Sequence, residues 1–182
     1  MVPAMLVRAE RAEDHGVVAE VHRRAFGDQG DLIVTLVEAL RRDDPGARGF
    51  VAEEDGRVVA HILFTRSLLD APRELVTVQV LSPVGVLPEH QRRGIGTALI
   101  RHGIAEMDRL GVPLVFLEGD PAYYSRVGFV AGGDRGFRKP SLRIPDAAFQ
   151  VWTLSAYQPW MSGTLVYSAT FWDHDCVGLR DG

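Results

Sequence analysis

Asparagine is missing from this 182-residue chain, lysine occurs once, at Lys139, and cysteine once, at Cys176. A single cysteine excludes an intrachain disulfide and gives no sign of an oxidising compartment. No uninterrupted apolar stretch approaches the roughly 20 residues that a membrane-spanning helix needs. The opening carries no signal pattern either, because Met1 to Val7 run straight into Arg8-Ala9-Glu10-Arg11. These absences predict a cytoplasmic protein with no membrane partner. A basic excess is also lacking: the formal charge is -4, which gives no reason to expect nucleic acid as a partner. Nineteen arginines beside one lysine and no asparagine read as compositional bias. Any task that needs an asparagine must be met by another residue.

What remains is ordinary for a folded chain, with 46% hydrophobic and 24% charged residues, enough to bury a real core in one domain spanning residues 1–182. Met5-Leu6-Val7-Arg8 reads as a first strand. Val17, Val18, Val21, Ala25 and Phe26 recur at helical spacing, with Gly27 and Gly30 as breakers. A second helix is expected from Asp31, read as its N-cap, through Leu32, Leu36, Val37 and Leu40 to Arg41-Arg42. Residues 49–53 and 57–69 read as two strands joined at Glu54-Asp55-Gly56, whose Asp-Gly pair tolerates positive backbone angles. Residues 75–87 suit a central strand, apart from Pro83 within it. Residues 92–110 carry the strongest helical pattern, with Ile100, Ile104, Met107 and Leu110 in one stripe, and residues 114–117 form a short buried strand. A strand-helix-strand order of this length implies a parallel pair. Asp120-Pro121 opens a short helix that Gly128 ends, and strand-like pieces follow at 149–154 and 163–167.

The turn between the central strand and the strong helix reads Gln91-Arg92-Arg93-Gly94-Ile95-Gly96-Thr97. Unpaired N–H groups at a helix start make an anion site, and glycines there let a phosphate approach the backbone. The dinucleotide fingerprint would need a small third residue at position 99, where this chain has Leu99. A lysine-bearing phosphate loop is ruled out because Lys139 lies far away. The pattern Q-x-x-G-x-G after a strand is left.

The segment from Val84 through Gln91 and Gly96 to Leu99 resembles the acyl-CoA motif of the GNAT superfamily of N-acetyltransferases. That resemblance implies that the N–H groups of Arg92, Arg93, Gly94, Ile95, Gly96 and Thr97 bind the CoA pyrophosphate. It also implies that Val84, Gly85 and Val86 pair with the pantetheine arm as an added strand would. Pro83 then falls where the family's strand bulges, one of the few strand positions that tolerates proline. The fold implied is mixed α/β, an α+β arrangement with a mostly antiparallel, splayed sheet of about seven strands, a parallel central pair and about four flanking helices. Its motif-bearing core would span residues 5–130, with C-terminal strands over 145–172.

A second landmark lies downstream, in Glu118-Gly119-Asp120-Pro121-Ala122-Tyr123-Tyr124-Ser125-Arg126-Val127-Gly128-Phe129. It is similar to the family's short helix with Tyr-x-x-x-Gly-Phe, and most similar to a subgroup carrying Gly-Asp-Pro-x-Tyr-Tyr. Tyr124 aligns with a tyrosine that many members hold near the CoA sulfur, which implies a general acid for the departing thiolate. A phenol with an ordinary pKa near 10 is protonated at neutral pH and suits that task. Many relatives also use an asparagine near the pantetheine amides, and in its absence the resemblance leaves Asp120 or Ser125 as the substitute.

The reaction implied is direct attack of a primary amine on the thioester of acetyl-CoA, used as co-substrate without a metal. The oxyanion would be held by strand N–H groups such as that of Val86. Glu118, Asp120, Glu74 and Glu38 stand equally as candidate bases. His15, His22, His61, His90 and His102 are scattered singly, and Cys176 beside His174 matches no zinc spacing. The acceptor, a small-molecule or peptide amine, is left open, as is a homodimer. Two alternatives stand beside this one: an idle acyl-CoA-binding or regulatory module, and an acetyltransferase for protein N-termini or lysines. Trp152, Tyr157, Trp160, Tyr167, Phe171 and Trp172 read first as the core of the C-terminal sheet and second as an acceptor pocket.

Overall fold

A computed structural model describes residues 4–181. The described residues hold nine strands and five α-helices and divide into two compact units. One comprises the chain up to residue 65 together with 82–105; the other comprises 66–81 together with the chain from 106 onward. The division falls within β3 (Arg57–Asp70), β4 (Leu75–Val86) and α3 (Ile95–Arg109), so each of these contributes a part to both units.

In the first unit β1 (Met5–Ala9) pairs antiparallel with β2 (Arg48–Glu54), and β2 pairs antiparallel with β3. The hairpin turn between β2 and β3 places Asp55 at φ 50° and Gly56 at φ 76°, the positive pair that matches the strands' twist. α1 (His15–Phe26) and α2 (Gly30–Asp43) follow β1. Val18 and Val21 of α1 enter a core with Val51 of β2 and Val58 of β3, against which Leu87 packs. Residues 57–65 of β3 are buried on both faces from Val58 onward, as a covered central strand requires.

Gly30 does not break the helical pattern. It is the buried first residue of α2, where an added Cβ would fall 2.6 Å from the Cα and carbonyl oxygen of Arg23. Glycine is there because two backbones meet. Asp31 is correspondingly not the N-cap: Gln29 holds that position, and the Asp31 carboxylate lies in the first turn and accepts from Arg23 Nε at 3.2 Å.

In the second unit β4 and β5 (Leu114–Glu118) pair in parallel, with Gln79 opposite Val115 and Val80 opposite Phe116. β8 (Phe149–Thr153) runs antiparallel along all of β5, and the two-residue β6 (Val130–Ala131) pairs with β8. β9 (Gly163–Val166) pairs antiparallel with the end of β3, and β7 (Phe137–Arg138) lies parallel to β9. The core is aromatic. Phe116 stacks on Phe149 at 5.6 Å between ring centroids and meets Phe137 edge-on at 5.2 Å, both favoured geometries.

The parallel pair, the mostly antiparallel pairing and the main helices agree with expectation. β6, β7 and α5 (Ala169–Asp173) are additions of two to five residues, too short to impose a readable period. α3 begins at Ile95, three residues later than the pattern predicts, because Arg92 and Gly94 take positive φ. Pro83 lies inside β4 after a cis Ser82–Pro83 peptide bond.

Candidate active site

In the first unit, the end of β4 leads through a 3-10 turn (Pro88–His90) to residues 91–94 and then α3. Arg92 at φ 60° and Gly94 at φ 79° alternate with residues of ordinary φ, the conformation that turns successive N–H groups toward one anion. The first N–H groups of α3, from Ile95, Gly96 and Thr97, have no helical acceptor. An added Cβ at Gly94 would meet nothing within 4 Å, so glycine is needed there for its φ and not for room. Gln91 Nε2 donates to the carbonyl of Val86 at 3.0 Å and ties the turn to the strand.

The arginine side chains divide. Arg93 grips Glu54 with Nη2 at 3.0 Å from Oε1 and Nη1 at 3.1 Å from Oε2, and His90 Nδ1 lies 2.6 Å from the same Oε2. The guanidinium of Arg93 is thus committed to the fold, while its backbone N–H stays with the turn. Arg92 is exposed.

Gly85 explains itself through α1. A Cβ there would fall 2.6 Å from Nδ1 of His22, which is fully buried. His22 and His61 are not scattered residues. Nε2 of His22 lies 2.8 Å from Nδ1 of His61, and Nε2 of His61 lies 3.4 Å from Oε2 of Glu10. Glu10 also accepts from Arg41 Nη2. Burial is the main cause that pushes the His22 imidazole down to about 3, with the charges of His61 and Arg41 adding to it. Burial likewise lowers His61. Of the other histidines, His102 packs edge-on against Phe50 at 5.4 Å and His15 is exposed.

In the second unit Asp120 caps α4 (Pro121–Val127), its Oδ1 accepting from the N–H of Ala122 at 2.9 Å. Proline at the first helical position suits this start. Gly128 ends the helix at φ 139°, against Trp152. Tyr124 meets Tyr123 at 4.8 Å and Phe129 at 5.9 Å, both edge-on, and Phe129 meets Trp152 at 5.3 Å. Gly119 makes room for this: its Cβ would fall 2.5 Å from the Tyr124 ring. Burial is the main cause that raises the Tyr124 phenol above its ordinary value, with Tyr123 and Asp120 adding to it, so the hydroxyl keeps its proton.

A family model described as an acetyltransferase (GNAT) domain matches residues 7–132. The chain is a GNAT acetyltransferase. Among curated relatives, an uncharacterised N-acetyltransferase, YjhQ of Escherichia coli strain K12, is 35% identical over 149 residues, 79% of either chain. YhbS of the same strain, also an uncharacterised N-acetyltransferase, is 32% identical over 154 residues, 83% of this chain and 88% of that one. A crystal structure of E. coli YhbS with CoA superposes at TM-score 0.82, with 27% identity, covering 94% of this chain and 93% of the other. A GNAT acetyltransferase from Brucella melitensis, solved with acetyl-CoA, gives TM-score 0.73 and 32% identity over 92% and 98% of the two chains.

The carboxylates considered as bases in this acetyltransferase have separate surroundings. Glu118 is held by the N–H of Gly178 at 3.2 Å and is raised, chiefly by burial. It lies on a groove of about 520 Å³ with Asp120, Pro145 and Leu179. Asp120 is spent on the helix cap, and Glu74 is exposed in the turn before β4. Glu38, on α2, lines a cavity of about 240 Å³ that His22 also lines. Among the C-terminal aromatics, Tyr167 and Phe171 are core, Trp172 is 41% exposed, and Trp160 carries Arg73 over its ring at 5.3 Å. Among the described residues no group of three or more His, Cys, Asp and Glu could hold a metal, and no helix is long and apolar enough to cross a membrane.

Proposed function

We propose that this GNAT acetyltransferase moves an acetyl group from acetyl-CoA to a primary amine by direct attack, with no covalent enzyme intermediate. The observation that carries the donor is the turn of residues 91–97, with left-handed Arg92 and Gly94 opening α3. Its N–H groups, from Arg92, Arg93, Gly94, Ile95, Gly96 and Thr97, bind the pyrophosphate, and the helix start adds favourable potential. Val84, Gly85 and Val86 form the track for the pantetheine arm, and the N–H of Val86 serves the oxyanion. The complexes of the E. coli and Brucella relatives with CoA and acetyl-CoA support this choice of donor.

Tyr124 is the proton donor to the leaving thiolate in this reading. Its raised pKa keeps the donor form filled throughout the neutral range, and the edge-on contacts with Tyr123 and Phe129 hold its ring in one orientation.

Calorimetric titration with acetyl-CoA, paired with thiol release in the presence of a panel of primary amines, tests both halves. Tyr124→Phe should leave the dissociation constant within about twofold and lower kcat by about 10²-fold or more. Tight binding without turnover on any amine would instead favour an idle acyl-CoA-binding module. Failure of Gly94→Val to weaken acetyl-CoA would remove the pyrophosphate assignment.

A further inference from the structure

The groove of about 520 Å³ in the second unit is apolar on its walls and anionic at one end. Pro145, Ala147, Ala148 and Leu179 supply the walls, and among the described residues its charged lining is two carboxylates, Glu118 and Asp120. A cavity of this size, mostly apolar with a few polar groups, has the make-up of a small-molecule site. The wall that comes from the end of the chain is tied down. Gly178 is left-handed at φ 62° and lies so close to residue 143 that an added Cβ would fall 2.8 Å from the carbonyl carbon of Arg143. On either side of Gly178, the N–H of Leu179 donates to the carbonyl of Arg143 at 3.1 Å, and Nη2 of Arg143 donates to the carbonyl of Val177 at 2.9 Å.

Charge decides what such a groove takes. Glu118 is the last residue of β5. Among the described residues its carboxylate receives one donor, the N–H of Gly178, at 3.2 Å and 3.3 Å from its two oxygens. A carboxylate offers about four acceptor positions, so most of its capacity is unspent. The neighbouring cations are engaged elsewhere: Arg143 with the Val177 carbonyl, Arg180 with Asp175 at 2.8 Å, and Lys139 with Asp146 at 2.7 Å. None of the three lines the groove. Burial raises the Glu118 carboxyl above its ordinary value, outweighing the Gly178 N–H and the charge of Arg143, which lower it. That is the condition of an anion short of a counter-ion.

We infer that this groove is the acceptor site, and that it takes a primary ammonium carried on an apolar body, an alkylamine or arylalkylamine, with Glu118 receiving the ammonium. The inference rests on reading Tyr124 as the acid of the transfer. Two residues of the groove border that tyrosine. The missing Cβ of Gly119 would lie 2.5 Å from its ring, and the charge of Asp120 reaches its phenol.

The same lining states what is refused. An amino acid carries a carboxylate beside its amine, which would meet Glu118 and Asp120 with no cation in the lining to offset them. A polyamine brings further ammonium groups that would lie unpaired against Pro145, Ala147 and Leu179. A peptide N-terminus brings amides for which those side chains offer no partner. One positive charge at the head, with carbon behind it, leaves no group unsatisfied.

Phenethylamine, phenylalanine, spermidine and 2-phenylethanol are the probes. Amide spectra of the full chain, with and without saturating CoA, should show phenethylamine shifting Gly119, Ala148 and Gly178, and the other three binding at least about tenfold more weakly. In thiol release from acetyl-CoA, kcat/KM for phenethylamine should exceed that for phenylalanine or spermidine by about 10²-fold or more. Glu118→Gln keeps an acceptor for the Gly178 N–H and should weaken phenethylamine about tenfold or more, with acetyl-CoA affinity held within about twofold. Leu179 is 69% exposed, so Leu179→Arg serves if Glu118→Gln fails to fold; its cation should weaken phenethylamine and bring phenylalanine to within about tenfold of it. Equal binding of the alcohol and the amine, phenethylamine undiminished in either folded variant, or its displacement by acetyl-CoA would each overturn the inference. Amine binding at these amides without turnover supports the groove and sinks the transfer. Acetyl-CoA binding without any amide shift from phenethylamine overturns the groove and leaves the donor assignment standing.

Discussion

The first unit buries ionisable side chains in series, and the second buries aromatic rings in contact. His22 and His61 meet ring nitrogen to ring nitrogen at 2.8 Å with Glu10 beside them, while Tyr124, Phe129 and Trp152 are held by edge-on packing. Both arrangements depend on glycine to admit the large side chain, Gly49 and Gly85 in one, Gly119 and Gly128 in the other. Proton occupancy should therefore govern the first arrangement and volume the second.

The largest effect expected from this contrast is on acid stability. His22 has its folded-state pKa depressed to about 3, below the ordinary value near 6.5. The unfolded chain takes up that proton first, so the stability His22 contributes is complete above about pH 6.5 and is lost as pH falls toward 3. One such group is worth about 2–3 kcal/mol between pH 6.5 and 4.5. Urea midpoints across that range should fall steeply for the wild type and less steeply for His22→Gln. A parallel shift of the two curves would show that His22 already carries a proton in the folded protein.

A smaller effect, indifferent to pH, is expected in the aromatic cluster. Gly119→Ala drives a methyl into the Tyr124 ring and should cost about 1–3 kcal/mol, by the same amount at pH 5 and pH 8 in denaturant melts. The smallest effect is the surface control. Arg109 and Glu106 pair at 2.9 Å across one helical turn with Arg109 66% exposed, and Arg109→Ala should change stability by no more than about 0.5 kcal/mol.

What could be read from sequence follows how local the chemistry is. The Asp55-Gly56 turn, the Asp120-Pro121 helix start and the Gly94 turn each declare themselves within four residues, since backbone angle or capping decides them on the spot. The parallel β4–β5 pair followed from a strand-helix-strand order, which topology restricts almost as tightly. The buried His22–His61 contact left no such mark. His22 and His61 stand 39 residues apart, one on a helix and one on a strand, and the packing of α1 on Val51 of β2 and Val58 of β3 brings the rings together. The signal that existed was a pair of glycines, Gly49 and Gly85, in strands where nothing in the local pattern needed them. Gly30 misled for the converse reason: it looks like a breaker, and the partner that requires it, the Arg23 backbone, belongs to the preceding helix.

Gly85 and Gly94 sit nine positions apart and are held for opposite reasons. Gly94 has room for a methyl but the wrong φ; Gly85 has no left-handed φ and no room, because His22 occupies the space. In a suppressor screen the two would part company. Shortening residue 22 relieves Gly85→Ala and does nothing for Gly94→Ala, so position 85 is epistatic with a single distant codon whereas position 94 answers only to its own backbone.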